Sequence, residues 1–161
     1  MSKPESGLFS GTQGAKNMQS LPKKYVRTSP FTSTGHISIS SIRNFREHFM
    51  KKNVYEIQKM LEDNGYETTI RRSKKKDSNA KIIEINNGSK QKNISQVQVS
   101  PGGGRHGNSP YVKISTKDSG IIKVVDGKRK DYKTDGNEKA TLIFKRRKKN
   151  HDRHKISHHS L

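Results

Sequence analysis

The sequence predicts an α+β domain: N-terminal helices followed by an antiparallel meander sheet of about five to six strands, with one face packed on the helices. Three observations carry that expectation. Apolar residues recur at helical spacing from Ile42 to Leu61, then switch to alternation beyond Gly65. The alternating runs are short and lie between clusters of Gly, Asn, Ser and Asp, the residues of turns. Only 27% of the 161 residues are hydrophobic, so one small core forms and part of the length lies outside it.

Residues 1–34 are rich in Gly, Ser, Thr, Lys and Pro and read as a flexible N-terminal segment, with a docking strand near Lys24–Arg27. Residues 35–146 form the α+β domain. Ser40 or Ser41 caps a first helix whose apolar face is Ile42, Phe45, Phe49 and Met50. Asn53 caps a second, with Glu56 as its capping-box partner and Val54, Ile57, Met60 and Leu61 as its stripe. Asn64-Gly65 supplies a left-handed stop. Strands follow at Tyr66–Arg72, Lys81–Asn86, 94–100, 110–116, Ile121–Val125 and Lys139–Lys145. A basic loop lies at 74–79, and a polar loop, Asp126–Glu138, carries Tyr132. Residues 147–161 read as a basic, histidine-bearing disordered tail.

The pair 94–100 and 110–116 is the most concentrated stretch chemically. Alternation puts Val97, Val99, Val112 and Ile114 on one face and Gln96, Gln98, Tyr111, Lys113 and Ser115 on the other. The connecting loop carries Arg105-His106. Its Gly102-Gly103-Gly104 run lacks the Lys-Ser/Thr ending of a nucleotide-binding loop and no helix follows it, so it reads as a flexible hairpin connection.

The 34 Lys and Arg against 14 Asp and Glu give a formal charge of +20, and the pI is near 10.3. Such an excess attracts polyanions, nucleic acid first and a membrane surface second. No apolar run is long enough to span a bilayer. Cysteine is absent, which removes disulfides and thiolate sites. Carboxylates are scattered without a metal-ligand signature, so no cofactor and no metal is expected.

Metal-free RNA cleavage needs proton-transfer groups for the 2′-hydroxyl and the leaving 5′-oxygen, and cations for the developing phosphorane charge. Histidine suits the first role near neutral pH and Lys or Arg the second. DNA lacks the internal nucleophile and generally calls for metal-bound water, so the pattern favours RNA. His106, beside Arg105 and a strand bearing Lys113, is the leading histidine. His36 precedes the first helix, where it could reach the sheet edge. His48 reads as structural or exposed, and the tail histidines as adventitious. Tyr111 and Tyr132 either stack on bases or close the edge of the core. The Lys145–Lys149 run is either a phosphate-tracking arm or a solubilising tail.

Gly35-His36-Ile37-Ser38 precedes a helix with Arg43 and Arg46. Ile94–Pro101, Arg105-His106-Gly107-Asn108 and Pro110–Thr116 follow, with Tyr132-Lys133-Thr134-Asp135-Gly136 and Lys139–Phe144 behind them. Together, over about residues 35–145, this layout resembles the C-terminal toxin domains of bacterial polymorphic toxin and contact-dependent competition systems. In particular it resembles the metal-independent ribonucleases of the barnase–EndoU–colicin type. The resemblance implies His106 as general acid or base, with His36 as its partner. It implies Lys113 and Arg105 as the transition-state cations and Ser115 or Thr116 as a phosphate ligand. Alternation turns Thr116 to the Val112 face unless a bulge reorients it. Gln96, Gln98, Tyr111, Lys123, Tyr132, Arg71 and Arg72 are the candidate substrate-binding groups. A start at Met1 with no delivery domain departs from the family layout and fits a detached cassette, a shortened chain or a stand-alone relative.

The expected function is a metal-independent endoribonuclease toxin that cleaves by 2′-hydroxyl attack. Its partners are RNA and an acidic immunity protein, with no membrane and a monomeric state. Its place is the cytoplasm of the producing cell, or of a target cell after delivery. The alternative is a non-catalytic basic RNA- or DNA-binding protein. A structural protein of a phage or mobile element would need only the charge.

Overall fold

A computed structural model describes residues 28–75, 78–103, 107–134 and 136–146. Helix α1 (Ile39–Asn44) is followed by a 3₁₀ turn (Arg46–Phe49) and helix α2 (Val54–Asp63). Six strands follow: β1 (Thr68–Arg72), β2 (Lys81–Ile85), β3 (Ile94–Ser100), β4 (Tyr111–Thr116), β5 (Ile121–Val125) and β6 (Thr141–Ile143). They form one sheet in the order β1-β2-β3-β4-β5-β6.

The cap of α1 is Ser38 rather than Ser40 or Ser41. The Ser38 hydroxyl accepts from the Ser41 amide at 3.1 Å, and the Ser41 hydroxyl accepts from the Ser38 amide at 3.0 Å. Both serines therefore belong to one capping box, with Ser41 as its inner member. The single helix expected through Met50 breaks at Phe45 (φ −115°, ψ 32°) and tightens into the 3₁₀ turn. Ile42, Phe49 and Met50 still reach the core. Phe45 instead meets the His48 ring edge-on, with centroids 5.5 Å apart.

Helix α2 follows its sequence signals. Asn53 and Glu56 form the reciprocal cap. Gly65 (φ +91°) ends the helix: its amide donates to Glu62 O and the Tyr66 amide to Leu61 O, a Schellman pair.

One sheet face packs on the helices. Ile83, Val97, Val112, Ile114, Ile122 and Val124 meet Ile42, Ile57 and Leu61 there, and α2 lies against β1 and β2. The first five strands are an antiparallel meander, but β6 runs parallel to β5, pairing Ile122 with Thr141 and Val124 with Ile143. A parallel neighbour needs a crossover, and the Asp126–Ala140 connection is long enough to provide it. It crosses the face away from the helices. There Val125, Tyr132 and Phe144 form a second, small apolar cluster with Tyr111 and Leu142.

The N-terminal flank is anchored by a bridge between Phe31 and Ile37. The docking strand expected near Lys24–Arg27, the remainder of the N-terminal segment and the tail beyond Arg146 lie outside the described residues. Among the described residues, no helix is long and apolar enough to cross a membrane.

Ile83 is fully buried at the centre of the helix–sheet contact. Ile83→Ala should cost about 2–5 kcal/mol in urea unfolding, through lost burial and the cavity left behind. Tyr55→Ala, at an exposed site on the outer side of α2, should stay within about 0.5 kcal/mol of wild type.

A cationic hollow on the open face of the sheet

Strand register places one row of side chains across the face turned away from the helices: Arg71, Ile82, Gln98, Lys113, Lys123 and Leu142. Alternation keeps Gln96, Ser115 and Tyr111 on the same face. It sends Arg72 to the other, beside Lys81, so of the two β1 arginines only Arg71 belongs to this surface.

From Arg71 to Lys123 the row forms the floor of a hollow of about 560 Å³. One wall is the β1–β2 connection, with Ser73, Lys74 and Lys75. The other is the β3–β4 connection, with Ser100, Gly103 and Gly107. Of the sequence-predicted residues, Arg71, Gln98, Tyr111, Lys113 and Lys123 meet here. Arg105 and His106 lie outside the described residues. Gly107 lines the hollow and bonds across the loop, its carbonyl accepting from the Gly103 amide at 2.9 Å.

Two of the cations are neutralised. Arg71 donates through Nε to Glu84. Lys123 is only 7% exposed, and its Nζ donates to Tyr132 Oη at 3.0 Å and to Glu138 Oε1 at 3.1 Å. The Tyr132 hydroxyl donates to the same carboxylate oxygen at 2.8 Å. The ammonium also lies over the Tyr111 and Tyr132 rings, at 5.1 Å and 5.7 Å from their centroids. Tyr132 is itself buried, edge-on to Phe144, so it closes the small core and holds Lys123. Burial pushes the Glu138 carboxyl up, but the bonds from Tyr132 and Lys123 and the Lys123 charge outweigh that and hold it below its ordinary value. Lys113 stands beside Lys123 in register, half-buried. Burial first, then the Lys123 and Lys75 charges, push its ammonium below the usual lysine value, while Glu138 acts against that shift.

His36 stands elsewhere. Its Nε2 lies 2.7 Å from Asp118 Oδ2 in the β4–β5 turn, at the end of β4 away from the β3–β4 connection. The six residues of β4 separate these ends by roughly 17 Å. Asp118 also accepts from Asn93 Nδ2 at 2.7 Å. Fully buried Asn93 grips both backbone groups of Ile37, accepting at 2.9 Å and donating at 2.8 Å. The Asn93 and His36 bonds hold the Asp118 carboxyl below its ordinary range. Thr116 is committed to the same turn, its hydroxyl donating to Gly120 O and accepting from the Ser119 amide. Ser115 keeps to the open face, and its carbonyl accepts from Ser95 Oγ at the irregular register step of β3.

Sequence reasoning missed Glu138, Asn93 and Asp118. Each is a single polar residue in or beside a loop, and only its distant partner marks it. Among the described residues, no group of three His, Cys, Asp or Glu is placed to hold a metal ion. Comparisons with protein-family models, with curated proteins and with solved structures find no match.

The Glu138 carboxyl lies below its ordinary value of 4.5, so its stabilisation is complete above that value and is lost as pH falls through the lower folded one. Glu138→Gln should flatten that acid limb. At neutral pH it should cost about 3–5 kcal/mol, because Lys123 is left buried without a counter-charge. Urea unfolding of both proteins across the acid range reads both effects.

Proposed function

We propose that the protein is a metal-independent endoribonuclease whose scissile phosphate binds in the hollow on the open face of the sheet. One observation carries this: Lys113, half-buried on the floor, faces Lys74 and Lys75 on the wall, while among the described residues Glu84 and Glu138 on this face are each engaged with another cation. A phosphodiester supplies a counter-charge for these ammonium groups, and a low-lying ammonium is suited to a developing phosphorane. In the reaction the 2′-oxygen bonds to phosphorus and the bond from phosphorus to the 5′-oxygen breaks. The proton leaving the 2′-hydroxyl is balanced by one delivered to the 5′-oxygen, and the products are a 2′,3′-cyclic phosphate and a free 5′-hydroxyl. His106, one residue from Gly107, is the proton-transfer group in this reading, and Arg105 a further cation. His36 has no part in it. The resemblance to polymorphic-toxin ribonucleases supports the same activity, and would add an acidic immunity protein as partner.

Purified protein should cut total cellular RNA in excess EDTA to products ending in cyclic phosphate. His106→Ala should lower that rate by about 10²-fold or more, and Lys113→Met by a similar factor. Lys113 gives up its proton below the usual lysine value, so wild-type activity should fall on the alkaline side at a pH where a free lysine is still charged. RNA left intact by wild type despite tight, salt-sensitive binding would replace this reading with that of a non-catalytic nucleic-acid-binding protein.

A further inference from the structure

The floor of the hollow has a part that phosphate binding does not use. Between Arg71 and Lys113, the row passes through Ile82 and Gln98, which are direct neighbours in register. Ile82 is an apolar side chain that lines the hollow but is only 6% exposed, so just its outer edge reaches the floor. Gln98 is half-buried beside it. Among the described residues its amide makes one long contact, 3.5 Å from Nε2 to Tyr111 Oη. A half-buried amide that can both donate and accept suits the edge of a nucleobase, which carries complementary groups.

We propose that the hollow takes one unpaired nucleotide, the edge of its base on the Gln98 amide and its phosphate at Lys113 and Lys75. This rests on the hollow being the RNA site, and it names what that site reads. The volume, about 560 Å³, is that of a small-molecule pocket rather than of a surface that cradles a helix. Both walls are loops, and Lys113 lies on the floor between them. In an A-form duplex the bases are stacked inside and the backbone lies on a broad outer surface, so neither a base nor a phosphate dips to such a floor. An unpaired nucleotide can turn its base out of the stack and enter. Gln98 is then a specificity-determining residue, distinct from the cations that hold the backbone.

Binding should be measured with a short RNA strand carrying 2′-fluoro sugars, which has no internal nucleophile. Its duplex, adenosine 3′-monophosphate and inorganic phosphate serve as comparisons, all in EDTA at near-physiological salt. Wild type should bind the strand at least about tenfold more tightly than the duplex. The near-isosteric Gln98→Met should weaken the strand and the mononucleotide by about tenfold and leave inorganic phosphate unchanged, which also reports an intact site. Lys113→Met should weaken all three. Equal affinity for strand and duplex, or strand binding untouched by Gln98→Met, would overturn the proposal. Cleavage is judged separately on unmodified RNA. A strand that binds in this way but is never cut would overturn the ribonuclease reading alone.

Discussion

An ammonium group withdrawn from water needs a counter-charge, and Lys123 is the place where this fold meets that requirement. Its side chain is almost wholly buried, and removing a charge from water costs several kcal/mol unless a close partner and further hydrogen bonds offset it. Glu138 and the Tyr132 hydroxyl provide both. Neither belongs to a strand: both come from the connection that carries the chain from β5 to a parallel β6. The ion pair thus fixes an irregular crossover against the sheet, and Val125, Tyr132 and Phe144 seal its outer side. One end of the open face is closed by this cluster. The rest stays open between two loops, which is why the hollow lies where it does. The cluster also decides what Lys113 experiences, because a neighbouring lysine already paired with a carboxylate repels less than a bare one.

A second polar network does comparable work at the opposite end of β4. Asn93, with no exposed surface to speak of, satisfies both backbone groups of Ile37 and passes a third bond to Asp118, which meets His36. A buried amide left unpaired would cost about 1–3 kcal/mol, so the three bonds together define where the N-terminal flank must lie. His36 is held by this clamp rather than aimed at the hollow. Its pairing with a carboxylate looks catalytic in isolation, yet the carboxylate belongs to a tight turn whose other groups, Thr116 and Ser119, serve the turn itself.

Period and turn chemistry made most of the architecture legible. Ile121–Val125 matches its expected strand, and Asn53, Glu56 and Gly65 mark the ends of α2 as their residue types require. Alternation sorted Gln98, Tyr111 and Lys113 from Val97, Val112 and Ile114, and that sorting defines the open face. Three features were hidden, two of them because they depend on distant partners. The parallel sense of β6 follows from where Glu138 and Tyr132 dock, and nothing within Thr141–Ile143 encodes it. The break at Phe45 escapes a pattern that fits a continuous helix equally well, since Ile42, Phe49 and Met50 stay buried in either case. The location of His36 depends on Asn93, which stands far from it in sequence.

The distribution of acidic groups explains why a chain this basic folds and still presents an unbalanced surface. Glu138 holds Lys123, Glu84 holds Arg71, and Glu47 holds Arg146 at 2.6 Å, joining the 3₁₀ turn to the end of the described chain. Asp118 is committed to the His36 clamp. These carboxylates are used where two elements must be kept together, so few remain to offset the loop lysines. Exposed pairs such as Lys59–Asp63 add little to stability, and moving one of their carboxylates to the hollow would cost the fold little. Yet the wall of the hollow carries Lys74 and Lys75 side by side, with Lys113 below them. Like charges gathered this closely repel, and counterions or a bound polyanion relieve that repulsion. A second hollow of about 480 Å³, at the margin between α2 and the sheet, differs on this point. Its lysines share the space with Asp126, and its lining includes the apolar side chains of Phe49, Val54, Val99 and Val112. The two hollows are of similar size, so among the described residues it is the placement of carboxylates, more than shape, that distinguishes them.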